Sequence, residues 1–390
     1  MEEQTMTSVT ETTLLRVGKP VTPTRVLDDE PNAFAVASQR QLIWRRFCRH
    51  KLALVGVGIL VLLYASALFA DFVGPYGPTE RFAKNPDMPP ARIHLRDVEG
   101  NLHLPFVYGT TNEVDLITLQ RSYTENTTKR YPLTFLPQNN DYRLFGVIPT
   151  DRHFFGVTRP GVWFVFGTDD LGRDIYSRTL HGARISLTIG LVGIALSFLL
   201  GCVLGGISGY YGGKPDMIIQ RVVDFLLSLP TIPLWMALSA AVPTSWSPIR
   251  VYFGISIVLS IVGWTSLARV VRSKLISLRE EDYVMAARLS GTRERTIITR
   301  HLLPGFASYL IVNLTLAIPG MIIGEVSLSF LGIGIRPPTV SWGTLLQDGQ
   351  NVRSVTLHPW LLIPGLFVIV SVLAFNFVGD GLRDAADPYR

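Results

Sequence analysis

Six stretches of this sequence run for about the length of a bilayer crossing without a single Asp, Glu, Lys or Arg: Leu52–Ala70, Ile185–Gly213, Phe225–Val242, Val251–Ala268, Phe306–Gly324 and Pro359–Gly379. A hydrocarbon core of about 30 Å takes roughly 20 apolar residues in helical form. Inside a bilayer only helices and closed barrels satisfy their own backbone groups. Runs of this length therefore predict an all-α polytopic membrane protein with six transmembrane helices. Charged residues make up only 17% of the chain, against about 25% in soluble domains, as a lipid-facing surface requires. The net charge of +6 fits basic cytoplasmic flanks. No basic, aromatic-interleaved groove motif accompanies it, so nucleic acid is excluded as a partner. The first 40 residues hold no apolar core of about 7–15 residues, so the first hydrophobic run is expected to insert and stay.

Positive charge orients the bundle. Arg40, Arg45, Arg46, Arg49 and Lys51 precede the first run, and Arg269, Arg272, Lys274, Arg279, Arg288, Arg293, Arg295 and Arg300 separate the fourth from the fifth. Both segments are expected in the cytoplasm, and six crossings return Arg383 and Arg390 to the same side. The expected order is a cytoplasmic segment 1–50, a first helix 51–74, an extracytoplasmic insertion 75–183, a five-helix core 184–380 and a cytoplasmic tail 381–390. Polar stretches, Pro, Gly and alternating runs such as Tyr142–Val147 predict that the insertion is partly β. Thr168, with Asp169 and Asp170 behind it, predicts a capped short helix at the outer membrane surface. Cys48 and Cys202 fall on a cytoplasmic flank and within the membrane, which predicts no disulfide, and no metal-ligand spacing is present.

Within the second run Gly193, Ser197, Gly201, Gly205, Gly209 and Gly213 recur every four residues. This predicts a ridge of small side chains that lets helix backbones approach closely. Pro230, Pro233, Pro319 and Pro364 each remove a backbone donor and predict kinks. Arg221 and Asp224 are spaced to pair on one helix face. Asp224 and Glu325 are candidate gate or pathway residues, with Glu325 also readable as a helix-interface residue. Ion-coupled transport needs ionisable groups near the midplane, and their scarcity points to an energy source outside this chain.

The segment Ser273–Pro304 is charged yet patterned as an ordered structure. Glu280–Leu289 is helix-favouring, with Tyr283, Ala286 and Ala287 on one face. Gly291 suits a left-handed helix stop. A second helix is expected from Arg293 to Leu303, ended by Pro304. The result is a compact knob whose alanines leave backbone open to a partner.

The string Ala286-Ala287, three residues, Gly291, nine residues and His301-Leu302-Leu303-Pro304 resembles the EAA loop of ABC importer permeases. Glu281 through Arg288 resembles the oligopeptide/dipeptide/nickel branch. Met285 stands where the name-giving Glu would be, and His301 replaces the usual Ile. Further similar strings are Phe166–Asp174 with Ser177-Arg178, Gly209–Gly213, Ser329–Gly332, and Gly379–Asp384 with Asp387-Pro388. Residues 38–74 look like the N-terminal segment of the C-type member of a permease pair, and the insertion is longer than in the family's short members.

The resemblance implies a type I importer bundle in the inner (plasma) membrane, with both termini cytoplasmic. It implies that Glu281, Tyr283, Ala286, Ala287, Arg288, Gly291, Leu303 and Pro304 form an ATPase-coupling loop. The implied partners are a homologous second permease, two ATP-binding subunits and an extracytoplasmic solute-binding protein delivering a small peptide-like solute. Oligosaccharides are the alternative cargo. No Gly-x4-Gly-Lys-Ser/Thr loop is present, so ATP and Mg are expected on the partners and no cofactor on this chain. A stand-alone secondary transporter would show midplane ion sites or inverted repeats. A membrane enzyme would need more than His153 and Asp151, which form no HExxH or GxSxG motif and read as solvated loop residues.

Overall fold

A computed structural model describes residues 39–117 and 121–386. The expected segment 1–38, the loop residues 118–120 and the end of the tail, including Asp387, Pro388 and Arg390, lie outside them. Residues from Ile43 onward form one compact unit. Helix α1 spans Gln39–Phe47, α2 Lys51–Leu68 and α3 Ala70–Val73. The insertion follows, with β1 His94–Arg96, β2 Leu102–Val114, β3 Arg121–Phe135, β4 Gln138–Leu144, β5 Ile148–Arg152 and β6 Phe155–Val157. Then come α4 Ile175–Tyr211, α5 Gly213–Ser228, α6 Thr231–Ala240, α7 Pro248–Leu278, α8 Asp282–Leu289, α9 Glu294–Thr296, α10 Leu303–Gly305, α11 Ala307–Phe330, α12 Trp342–Gln347, α13 Val352–Leu357 and α14 Ile363–Ala386.

Among the described residues, five helices are long and apolar enough to cross a membrane: α2, α4, α7, α11 and α14 with the 3-10 turn before it. The run read as the third crossing, Phe225–Val242, is broken. It begins in the last turn of α5, and α5 and α6 meet at 93°. Pro230 forces this: it brings no N–H, and the residue before a proline is driven out of the helical region, as the extended Leu229 (ψ 136°) is. Counting the bent pair as one crossing gives six.

The core runs through α2, α4, α7, α11, α12 and α14, centred on buried Leu187, Ile189, Ile255, Leu259, Ile322 and Trp342. A second cluster, at the far end of α4, joins Tyr210 to Leu275, Val284, Ile297, Leu302 and Phe306. The insertion is β-structured, as expected. Strands β1-β2-β3-β6 form an antiparallel sheet, and β4-β5 a separate hairpin over the alternating run at Tyr142. The Thr- and Tyr-rich β3 suits a pleated, half-buried surface. Val107, Val157 and Trp163 fill one small core and Tyr76, Met88 and Phe164 another. Trp360 Nε1 donates to Thr168 O at 3.0 Å and the Tyr76 N–H to Ser177 Oγ at 3.2 Å, fastening the insertion to the bundle. His153, read as a solvated loop residue, is buried and stacked on Tyr142.

Candidate functional site

The knob expected after the fourth crossing is present, and its stop signals are legible bond by bond. Glu281 precedes α8 in extended backbone, and Asp282 occupies the first turn, at the positive end of the helix dipole. Gly291 closes α8 with φ +73°. Its N–H reaches Arg288 O at 3.0 Å and the Thr292 N–H reaches Ala287 O at 3.1 Å, the paired bonds of a left-handed helix stop. Val284 is fully buried against the second cluster, with Ala287 packed partly beside it. The Arg288 guanidinium lies 5.1 Å from the centre of the Tyr210 ring, tying the knob to the end of α4.

Outward α8 turns Tyr283, Met285, Ala286 and Leu289, the last 88% exposed. Ala287 therefore sits at the edge of the face it was expected to share with Tyr283 and Ala286. The second knob helix is more elaborate than expected. It runs through α9, a π turn at Ile297–Leu302 and α10. Pro304 lies inside the last turn and does not end it. With no N–H to give, Pro304 breaks the regular ladder, and the widened turn absorbs it, with the Leu303 N–H bonding back to Ile298 O.

The glycine ridge of α4 packs on α7. A Cβ at Gly205 would stand 2.6 Å from Ala268 O, one at Gly209 2.7 Å from Arg272 O, and one at Gly201 2.9 Å from the Leu267 side chain. Ser197 Oγ donates to Ser260 O at 3.3 Å. Gly193 faces Met321 and Ser256 less tightly. Gly213 is not on the ridge: α4 has ended at Tyr211, the chain turns through Gly212 and Gly213 at positive φ, and nothing lies within 4 Å of a Cβ at Gly213.

Glu325 is fully buried and spoken for. Ser186 Oγ donates to one carboxylate oxygen at 2.8 Å and Ser329 Oγ to the other at 2.7 Å. Ser186 Oγ also accepts from Trp342 N at 3.1 Å, and Ser329 Oγ from Ile335 N at 3.0 Å. The carboxylate thereby binds α4, α11 and α12 into one joint. Asp224 pairs with Arg269 of α7, and not with Arg221 as its spacing suggested.

Residues 167–174 do not form the expected capped helix. Asp169 Oδ1 accepts from the N–H groups of Leu171 and Arg173, a local turn that competes with helix. Gly167 and Gly172 have positive φ, and α4 is capped by Asp174, whose Oδ2 accepts from Ser177 N at 2.8 Å. Thr168 instead stitches the insertion, accepting from Met88 N at 2.8 Å.

Next to this turn lies a buried ion cluster that sequence reasoning missed. Asp169 accepts from Arg173 Nε at 2.7 Å and from the buried Arg178, with Asp348 3.9 Å from Arg178. The Asp169, Asp170 and Asp348 carboxylates come within 4.8 Å of one another. Arg173 and Arg178 already supply the positive charge a cation would bring. Desolvation pushes the Asp348 acid up to about 6 despite those arginines. Nearby, hydrogen bonds from His181 and Arg184 hold Asp71 down at about 2. The available signal was the Asp169-Asp170…Arg173…Arg178 spacing; Asp348 lies too far along the chain to be read with it.

A family model described as "Binding-protein-dependent transport system inner membrane component" matches residues 198–389. Another, "N-terminal TM domain of oligopeptide transport permease C", matches residues 38–90. The oligopeptide transport system permease protein OppC of Bacillus subtilis (strain 168) is 31% identical over 92% of this chain and 93% of its own length. The dipeptide transport system permease protein DppC of the same organism is 30% identical over 93% and 92%. OppC of Haemophilus influenzae is 38% identical over 66% and 77%. With relatedness spanning the first helix, the insertion and the knob alike, this chain belongs to the oligopeptide/dipeptide permease family of ABC importers, as a membrane-spanning transport subunit and not an enzyme.

Proposed function

We propose that the knob at 279–303 is where an ATP-binding partner drives this permease, and that the chain forms half of a translocation pathway for small peptides. The observation that carries the reading is the apolar surface α8 exposes, Met285 and Leu289 one turn apart and Tyr283 further round the helix. Tyr283, Met285 and Leu289 stand open to solvent in a segment otherwise dense in Arg and Glu. An exposed apolar patch rimmed by charge is a mark of a docking surface. Val284, Ala287, Leu303 and the Arg288–Tyr210 contact root that face in the bundle, so a push on α8 reaches α4, α7 and α11 together.

In this reading the knob and both termini face the cytoplasm, following the excess of Arg around the knob, and the insertion lies on the opposite side. The complex holds a homologous permease, two ATP-binding subunits carrying ATP and Mg, and a solute-binding protein. Bacillus subtilis relatives named for oligopeptide and dipeptide transport support a peptide cargo. ATP supplies the differential affinity that shifts the bundle between its two access states. Glu325 acts as a helix joint and not in the pathway, because both its oxygens are occupied by hydroxyls of the bundle. The Asp224–Arg269 pair braces α5 against α7.

Leu289→Asp tests the proposal. A surface change of this kind costs within about 0.5 kcal/mol of stability, so the chain should insert at the wild-type level. Co-purification of the ATP-binding subunits and peptide uptake should both be lost. Uptake at the wild-type rate would sink the reading.

A further inference from the structure

The turn of the β4–β5 hairpin lies against the end of a crossing helix. The Phe145 ring meets the Phe69 ring edge-on, with centroids 5.5 Å apart. Just beyond β5, the Phe154 N–H donates to Phe72 O at 2.8 Å, and these two rings lie 5.8 Å apart. Between hairpin and helix runs an apolar groove of about 510 Å³, lined by Leu62, Ala65, Phe69, Phe72, Leu144 and Phe154 among others. No charged side chain occurs from Leu144 to Thr150. Phe145 and Ile148 are exposed, and Val147 is 76% exposed. Arg143 on one side and Asp151 and Arg152 on the other bring polarity back.

The outer face of α2 identifies what covers this patch. Helix contacts within membranes favour small residues, and α2 turns three of its small residues inward: Ala53, Gly56 and Ala67 are buried, with Gly56 against the Ala374 carbonyl of α14. Most of its exposed apolar positions are large and aliphatic, Leu54, Val55, Val61, Leu62 and Leu68, with Gly58 and Ala65 the small exceptions. Such a face suits acyl chains, and the groove opens from it without a polar break. An apolar hairpin turn continuous with a lipid-facing helix sits at the edge of the hydrocarbon layer, where flanking charges can reach headgroups.

We propose that the β4–β5 turn is a membrane foot: Phe145, Val147 and Ile148 enter the edge of the bilayer beside Phe69, and phospholipid acyl chains fill the groove. The insertion is thereby held to the lipid surface as well as to the bundle. This placement does not depend on which side of the membrane the insertion occupies.

Spin labels at Phe145→Cys and Val147→Cys test it, in full-length chain carrying Cys48→Ser and Cys202→Ala and reconstituted in phospholipid nanodiscs. A label at Glu99→Cys, in an exposed turn, provides the aqueous reference. The ratio of relaxation by oxygen to relaxation by a water-soluble nickel chelate should rise several-fold at both hairpin sites over the reference. A ratio equal to the reference would overturn the proposal. So would labels shielded from both relaxants, because a protein partner would then cover the turn.

Discussion

The two ends of α4 solve opposite problems. At the insertion end, charge and polarity are buried: Asp169, Arg178, Ser186 and Glu325 are almost without solvent contact, and they pair with one another, Ser186 with Glu325 and Arg178 with Asp169. At the knob end, apolar surface is exposed: Tyr283, Met285 and Leu289 stand open over a small core. A 37-residue helix spans about 55 Å, so one rod connects a sealed joint to an open face. Buried polar networks fix a geometry because each misplaced member leaves another unsatisfied. Exposed apolar faces are free to bind and release. The contrast fits an insertion end that holds the helices in place and the role proposed above for the knob end, receiving force.

The sharpest way to break this contrast is to strand a charge in the sealed end. Asp169→Ala would leave Arg178 buried, with Asp348 at 3.9 Å as its nearest ion-pair partner. It would also remove the acceptor that shapes the turn at Leu171–Arg173. Breaking a buried pair from one side costs about 3–5 kcal/mol, so thermal unfolding in detergent should shift down steeply. Adding Arg178→Met should recover part of the loss, because the stranded cation is gone. If the double variant were no better than the single one, the cluster would be holding the turn and not balancing charge.

The seam between the ends should respond next. Gly205→Leu places a branched side chain where even a Cβ would stand 2.6 Å from Ala268 O, a backbone atom that cannot swing aside. Overpacking costs about 1–3 kcal/mol, and separating α4 from α7 should also uncouple the knob from the core. Gly320→Ala in α11 has nothing within 4 Å of its new Cβ and should be stabilising by about 0.5–1 kcal/mol through helix propensity alone. Equal losses of melting temperature from the two would mean that the close approach of α4 and α7 contributes nothing.

What could be read in advance follows the same division. The crossings were legible because the bilayer imposes one long, local requirement on each helix. The knob was legible because Gly291 writes its helix stop into neighbouring residues. The joint was not legible: Glu325 meets Ser186 across 139 positions of sequence, and no local pattern marks serines that will face a carboxylate. The reading of residues 168–170 as a helix start failed because Asp169 caps its own turn, an option that residue type and spacing leave open. The third crossing breaks at Pro230, where a kink was expected, but counting uncharged residues set its start at Phe225, while the bent pair begins at Gly213.

The finest test separates the carboxylates of the sealed end by pH. Burial holds the Asp348 and Asp174 acids at about 6, above the ordinary value near 3.9 for an unfolded chain. Between about pH 4 and 6 the folded protein keeps protons that the unfolded chain releases. Stability should therefore fall as pH rises through that window and level off above it. Asp71 runs the other way: with its acid held at about 2 by His181 and Arg184, its contribution is complete above about pH 4 and is lost only as pH falls toward 2. One pKa unit is worth about 1.4 kcal/mol, and the Asp348 side chain is 33% exposed, so its share should be on the order of 1 kcal/mol after solvent screening. Asp348→Asn should flatten part of the slope between pH 4 and 6. Adding Asp174→Asn, which keeps a good helix cap, should flatten it further, leaving the part that Asp87, also raised by burial, contributes, and neither should alter the loss below pH 4. A slope unchanged in the double variant would place these carboxylates in water and end the account of this end as sealed.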